Sequence, residues 1–191
     1  KLIYLDFETE GIEPEKEKGN NRLLTVQWQE VESETGDVLD ELKIFKLWDY
    51  EIAPGQYDEK KFIKDVLRRS VIDNRGRRIM FLHSKWPPVL GYNLFFEQYF
   101  MDQRIAANNI ECDEIQITGY SVPALDLKYA GVLINGGKFS GSALHDISNK
   151  MTSGESVIKW WEEGNVDSIV NYVEDETKSF IDFYKKLLKY I

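Results

Sequence analysis

Cysteine is nearly absent from this sequence, with Cys112 the single example among 191 residues. One cysteine excludes an internal disulfide, so a reducing, cytoplasmic setting is the simplest expectation. No apolar run reaches membrane-spanning length and no signal-peptide pattern opens the chain, so we expect no membrane partner. Internal repeats, low-complexity tracts and linkers are also missing, which favours one domain over residues 1–191.

Two common site signatures are missing as well. The glycine-rich stretch Asn135-Gly136-Gly137 does not fit the G-x-x-x-x-G-K-[ST] pattern of a phosphate-binding loop. His145 is one of only two histidines, and no catalytic partner for it is legible in the sequence. We therefore expect His145 to be structural.

Basic residues are outnumbered overall but concentrated in one segment. The net charge is −9, yet residues 60–85 hold nine basic residues against Asp65 and Asp73, a net +7. Such a run is usually a solvated helix face with a charged turn. The alternative is a rim that binds a nucleic-acid backbone. Nearby, Trp86 could stack on single-stranded bases, although a role in the core is more common for such a residue.

Two acids follow the first apolar run of the chain. Leu2–Leu5 is typical of a strand buried on both faces, and Asp6 and Glu8 come directly after it. Residues two apart in an extended chain point to one side, about 6.5 to 7 Å apart along the strand. A divalent cation with oxygen ligands would relieve the repulsion between the two carboxylates. The alternative is that the strand ends here and both acids are solvated.

The remaining pattern predicts an α/β protein. We expect a strand over Leu23–Val31, a turn, and a return strand over Val38–Trp48, which makes three antiparallel strands in succession. Helical spacing, with Asp58 as a cap, predicts the following helices and short helical segments: Asp58 to about Ser70, Leu94–Asn108, one beginning at Ser142, one beginning at Ser156, and Val166–Tyr190. Extended runs are expected at Val89–Asn93 and over Ile115–Leu127.

Inward-pointing acids recur on two of these helices. Glu97 shares a helical face with Phe100, Met101 and Arg104, so it either pairs with Arg104 or another neighbour, or serves a site. On the last helix, Tyr172 and Glu176 lie four apart beside the buried stripe, whereas Asp175 points to solvent.

Three stretches of the chain resemble the motifs of the DEDD (DnaQ-like) superfamily of 3′–5′ exonucleases. Leu5-Asp6-Phe7-Glu8-Thr9 resembles the first motif, and Leu90-Gly91-Tyr92-Asn93-Leu94-Phe95-Phe96-Glu97 resembles the second, with Glu in the place of Asp. Tyr172-Val173-Glu174-Asp175-Glu176 resembles the third motif of the tyrosine-bearing DEDDy branch, again with Glu for Asp. The resemblance extends to Leu125–Leu127, Ser142–Leu144 and Trp160, as in polymerase-associated proofreading exonuclease domains.

This resemblance implies a ribonuclease H-like α/β fold, with a central mixed sheet of three antiparallel N-terminal strands plus parallel strands, flanked by helices. It implies two Mg²⁺ or Mn²⁺ ions held by Asp6, Glu8, Glu97 and Glu176 (with Asp175 as the fallback for Glu176). Tyr172 would orient the attacking water, while Thr9, Tyr92 and Asn93 would contact the terminal nucleotide. The expected activity is stepwise hydrolysis from the 3′ end of single-stranded DNA or RNA.

The two glutamates depart from the family pattern and leave alternatives open. Each is one methylene longer than Asp, and an ångström of displacement can cost about 100-fold in rate. Weakened activity, a preference for Mn²⁺, or a non-catalytic single-strand-binding module are therefore alternatives to a fully active nuclease. A structural domain with salt-bridged acids is a further alternative. Whether the chain forms a homo-oligomer stays open.

Overall fold

The computed structural model describes residues 1–15, 20–68, 70–72, 78–80, 88–111, 117, 124–148 and 154–190. Its strands are β1 (Leu2–Thr9), β2 (Leu23–Val31), β3 (Lys43–Lys46), β4 (Glu51–Ala53), β5 (Gln56–Tyr57), β6 (Ser70–Ile72), β7 (Arg78–Met80), β8 (Val89–Gly91) and β9 (Ala124–Asp126). Its α-helices are α1 (Glu59–Leu67), α2 (Leu94–Ala107), α3 (Lys128–Ile134), α4 (Leu144–Ile147), α5 (Glu155–Glu162) and α6 (Val166–Leu188), and Leu47–Tyr50 forms a 3₁₀ turn.

Five strands form one mixed sheet in the order β3-β2-β1-β8-β9. The pairs β1–β2 and β2–β3 are antiparallel, whereas β1–β8 and β8–β9 are parallel. Helices flank this sheet, so the predicted α/β class with three antiparallel N-terminal strands plus parallel strands is confirmed, and the sheet is consistent with a ribonuclease H-like fold. Because β1, β8 and β9 run in the same direction, their carboxyl ends meet at one edge.

Both faces of β1 are covered, which explains why its sequence is apolar without alternation. Ile3, Leu5 and Phe7 belong to a core cluster that includes side chains from α1 and α2. Leu2 and Tyr4 point the other way and belong to a second cluster that includes residues of α6. Asp6 and Glu8 continue this second row, so the strand aims both acids toward one face of the sheet.

Most predicted elements are found near their expected bounds. The strand Leu23–Val31 agrees residue for residue, and Asp58 caps α1 by accepting a hydrogen bond from the Lys61 amide at 2.9 Å. α1 ends at Leu67, α2 at Ala107 and α6 at Leu188, each within three residues of the prediction.

Two predictions about local structure need correction. The return strand expected over Val38–Trp48 pairs with β2 only along β3, and Val38 makes an isolated bridge to Val31. Leu47 already turns into the 3₁₀ segment, which brings Leu47 into the core. The helix α3 was not predicted at all, because the sequence between the last parallel strand and the glycine-rich loop shows no clear period.

Some of the predictions made from the sequence lie outside the described residues. They include the stacking role of Trp86, Cys112, most of the run predicted over Ile115–Leu127, and the side chains of the basic segment from residue 69 to 85. The nucleic-acid-binding rim therefore stays a prediction. Among the described residues, no helix combines the length and apolar character required to cross a membrane.

Candidate metal centre

Three carboxylates converge at the carboxyl end of β1. Asp6 and Glu8 come from β1 and Glu176 from α6, and one oxygen from each lies within 4.8 Å of the others. Glu8 is buried, while Asp6 and Glu176 are half-buried. The convergence follows from the side-chain repeats of a strand and of a helix. Residues i and i+2 share one face of a strand, and Glu176 lies beside the apolar stripe of α6 that packs toward the sheet.

Polar side chains from the sheet orient Asp6. The Gln27 amide, directly opposite on β2, donates to Asp6 Oδ2 at 2.9 Å, and the buried Tyr4 hydroxyl donates to the same oxygen at 3.3 Å. Thr25 in turn donates to Gln27 Oε1 at 2.8 Å, which sets the direction of the amide. Sequence reasoning missed Gln27, whose position follows only from the strand register.

Glu97 lies in the first turn of α2 and is only 4% exposed. Burial, followed by the charge of Asp6 and by those of Asp126 and Glu176, raises the pKa of this carboxyl well above its ordinary value. Its Oε2 atom is buried without a hydrogen-bond partner among the described residues. Glu97 therefore lies close enough to Asp6 and Glu176 for their charges to affect it, although it is not one of the three carboxylates that converge within 4.8 Å.

The alternative pairing of Glu97 with Arg104 is wrong. Arg104 is buried and forms a two-pronged ion pair with Glu59 of α1, in which Nε donates to Oε1 at 2.9 Å and Nη2 donates to Oε2. Arg104 Nη1 also donates to the Pro14 carbonyl at 2.8 Å. With every prong of the guanidinium used elsewhere, none is directed to Glu97.

Tyr172 stands beside the centre as a protonated phenol. It is 6% exposed, its hydroxyl hydrogen-bonds to Glu176, and its ring packs edge-on against Trp160 at a centroid distance of 6.0 Å. Burial, then the negative charges of Glu8 and Glu176, raises the pKa of Tyr172 far above its ordinary value. The residue can therefore donate and orient, but it cannot act as a base.

The fallback ligand Asp175 lies away from the centre. Its side chain is 81% exposed and its Oδ1 lies 3.7 Å from Lys178 Nζ, one turn along the solvent face of α6. Helical phase thus separates two adjacent acids, and the geometry favours Glu176 over Asp175.

The three residues expected to contact a nucleotide have different surroundings. Asn93 is exposed, has a left-handed backbone (φ 67°) and donates its amide to Asp126 Oδ1 at 2.7 Å. Tyr92 is half-buried and donates its hydroxyl to the Ser142 carbonyl. Thr9 donates to the Gly11 carbonyl at 2.8 Å, so its hydroxyl holds the loop that follows β1.

A cleft of about 230 Å³ opens beside the acids. Asp6 and Glu176 line it on one side, and Tyr92 and Asn93 also border it. Two further lining residues were not predicted as site residues: Lys128 of α3 and His145 of α4, whose Nε2 lies 3.1 Å from Asp146 Oδ1. Asp126 was likewise missed, although its charge raises the pKa of Glu97 and its carboxylate accepts a hydrogen bond from the backbone N–H of Asn93.

The donor set suits hard divalent cations. All the converging atoms are carboxylate oxygens, the ligands that Mg²⁺ and Mn²⁺ take in proteins. The buried Oε2 of Glu97 lacks a donor, and a cation would supply the missing partner. Asp6, Glu8 and Glu176 therefore form a group that could hold a metal ion, and the buried Glu97 carboxyl lies near it.

The fold and the site together define an α/β protein with an acidic centre at the edge of a mixed sheet where the carboxyl ends of its parallel strands meet. No family profile and no curated protein matches the chain. Among solved structures, the chain is similar to "Exonuclease I (apo)", with a TM-score of 0.38 and 18% identity over 70% of this chain. The aligned region spans 30% of that structure's chain. A likeness of this size carries no functional information, so a function must rest on the residues of the site.

Proposed function

We propose that the chain is a metal-dependent 3′–5′ exonuclease that hydrolyses phosphodiester bonds at the end of single-stranded DNA or RNA. The convergence of Asp6, Glu8 and Glu176 within 4.8 Å carries this proposal. The buried, donor-free Oε2 of Glu97 supports it, since a carboxylate in that setting is stabilised by a cation. The direction of digestion rests on the motif resemblance alone.

The proposal assigns the residues of the centre to metal binding and to the positioning of a ligand. Asp6, Glu8, Glu97 and Glu176 would hold two Mg²⁺ or Mn²⁺ ions, and these ions would supply water activation and charge stabilisation at the leaving oxygen. Gln27 and Tyr4 keep Asp6 in place through their hydrogen bonds to its Oδ2.

Tyr172 positions the attacking water rather than deprotonating it. Its hydroxyl already donates to Glu176, and its raised pKa keeps the proton on the oxygen through the neutral range. The hydroxyl oxygen still has acceptor capacity, so it can accept a hydrogen bond from a water beside Glu176. Tyr92 and Asn93 line the cleft, which supports their proposed contact with the last nucleotide.

A digestion assay tests the proposal. Purified protein with Mn²⁺ and a 5′-labelled single strand should produce a ladder that shortens from the 3′ end. Asp6→Asn should lower the rate at least a thousandfold, because losing a metal ligand removes several kcal/mol of transition-state stabilisation. Asp175→Asn is the matched control, since it makes the same change on the exposed face of α6, and it should cut as the wild type does.

Three results would contradict the proposal. Cutting of a circular single strand would indicate an endonuclease, and digestion that survives Asp6→Asn would remove the acidic centre from the chemistry. Binding of single strands without any cutting in Mg²⁺ or Mn²⁺ would instead support the non-catalytic binding module.

A further inference from the structure

Among the described residues that line the acidic cleft, Lys128 is the one with a permanent positive charge. It begins α3, directly after β9, and its Nζ lies 3.3 Å from the Ser142 carbonyl and 5.5 Å from the centre of the Tyr92 ring. It forms no ion pair with a carboxylate in the part of the chain that the structure describes. A lysine beside several acids would usually pair with one of them.

The surroundings of Lys128 hold the ammonium group in the cleft. The Ser142 carbonyl accepts from Lys128 and from the Tyr92 hydroxyl, and the Tyr92 ring attracts the cation through its face. Ser142 is fully buried, and its own hydroxyl donates to the Phe139 carbonyl at 2.6 Å. A side chain at Gly131 would collide with the Tyr92 hydroxyl, so the glycine is what permits this contact. Four residues thus cooperate to position one ammonium group.

The charges of the cleft explain why such a cation is needed there. A nucleic-acid strand is a polyanion, and the carboxylates of Asp6 and Glu176 repel its phosphates over the short distances of the cleft. Divalent ions at the centre offset this repulsion only at the phosphate being cut. A neighbouring phosphate needs its own cation, and the compact ammonium of lysine binds phosphate oxygens as a point charge.

We propose that Lys128 binds a backbone phosphate of the single strand in the cleft, next to the phosphate that is cut, with Tyr92 and the Ser142 carbonyl as its positioning groups. The proposal rests on the proposed function, because it takes the cleft as the place where the strand lies. It goes beyond that function by naming a contact to the strand that no exonuclease motif in the chain contains.

Salt-dependent binding tests this contact without any cutting. A fluorescent single-stranded oligonucleotide is titrated with protein in EDTA and in Ca²⁺ at a series of KCl concentrations, and the logarithm of the binding constant is plotted against that of the salt concentration. Each phosphate contact on a single strand contributes about 0.7 to the slope. Lys128→Gln should reduce the slope by about that amount and weaken binding several-fold at low salt, and Lys128→Arg should restore the slope.

Matched variants separate this contact from a general loss of charge. Lys189→Gln removes the same charge about 20 Å along α6 from Glu176, at the end of the helix, and should leave the slope unchanged. Gly131→Ala should weaken binding by displacing Tyr92, with the slope reduced as in Lys128→Gln. Thermal unfolding of each variant confirms that it is folded.

Several outcomes would overturn the proposal. An unchanged slope for Lys128→Gln, in a wild-type protein that binds and cuts, overturns this contact and leaves the exonuclease standing. A nucleoside 5′-monophosphate can be added as a competitor of the oligonucleotide. If Lys128→Gln weakens binding of this competitor but not binding of the oligonucleotide, the lysine binds the released product and not the strand. A wild type that binds no oligonucleotide overturns this proposal and the proposed function together.

Discussion

Two buried glutamates occupy equivalent places in the first turns of neighbouring helices but have opposite surroundings. Glu59 begins α1 and is 5% exposed, and Glu97, in the first turn of α2, is 4% exposed. The Glu59 carboxylate accepts hydrogen bonds from the Arg104 guanidinium, from the backbone N–H of Leu23 at 3.0 Å and from the side-chain amide of Asn108 at 2.9 Å. Glu97 has an oxygen without any donor among the described residues, and its electrostatic neighbours are acids.

The difference separates an acid whose charge is paired within the fold from one that we propose serves a site. Glu59 of α1 is bound by Arg104 of α2 and by hydrogen-bond donors that include the backbone of β2. These partners offset the free energy that is lost when its charge is buried. The burial of Glu97 is not offset by a donor to its Oε2 in the described part of the chain, which is the arrangement expected where an external cation completes the structure. The charge of Arg104 lies seven residues along the same helix, yet it is committed to Glu59.

Removing Arg104 should have the largest effect on stability. Arg104→Met leaves Glu59 as a buried charge without its cation, and breaking a buried pair from one side costs about 3–5 kcal/mol. Chemical denaturation should show this loss in the free energy of unfolding. Arg68→Met is the control, because the Arg68 side chain is 74% exposed and touches Asp65 at 4.0 Å. Equal, small losses in both variants would contradict a structural role for the Glu59–Arg104 pair.

Glu97→Gln should instead increase the free energy of unfolding of the metal-free protein near neutral pH. The pKa of Glu97 is higher in the folded chain than in the unfolded one, so the folded state binds the extra proton and loses stability as the pH rises from about 4.5 through the raised pKa. Gln does not titrate. The variant should therefore match the wild type in acid and become more stable toward neutral pH, by about 1.4 kcal/mol for each pH unit above the unfolded pKa until the folded pKa is reached.

Thermal unfolding in EDTA across this pH range measures the effect. Glu59→Gln is the paired control, because it weakens an ion pair and should destabilise the protein at neutral pH. A Glu97→Gln protein that is less stable than the wild type at every pH would show that Glu97 is a satisfied structural acid like Glu59.

Asp175→Asn should have the smallest effect. The exposed acid is close to Lys178 only, and exposed substitutions of this kind change stability by about 0.5 kcal/mol or less. Glu176→Gln, one residue further on, should remove one carboxylate ligand and weaken metal binding, while the fold stays intact. Metal binding that depends on Asp175 and not on Glu176 would reverse the assignment based on helical phase.

Periodicity predicted those parts of the site that depend on a single element. The spacing of Asp6 and Glu8 along a strand, and the phase of Glu176 and Asp175 on the last helix, both follow from repeat geometry that a sequence carries. The bounds of β2 were predictable for the same reason.

The features that were missed depend on contacts between elements. Arg104 shares a helical face with Glu97, but the stronger partner, Glu59, comes from a helix 45 residues earlier in the chain. Gln27 reaches Asp6 only through the antiparallel register, and Lys128 reaches the cleft only because β9 pairs beside β8. No local pattern contains that information, so these residues become visible only in the folded chain.

A calorimetric titration with Mn²⁺ tests most directly whether the acidic centre is a metal site. The wild-type protein should bind two ions, with affinity that increases as the pH rises, because the ion displaces the proton that Glu97 retains. Glu97→Gln should lose at least one of the two. A wild type that binds no Mn²⁺, or a Glu97→Gln variant that binds both ions as tightly as the wild type, would contradict the account.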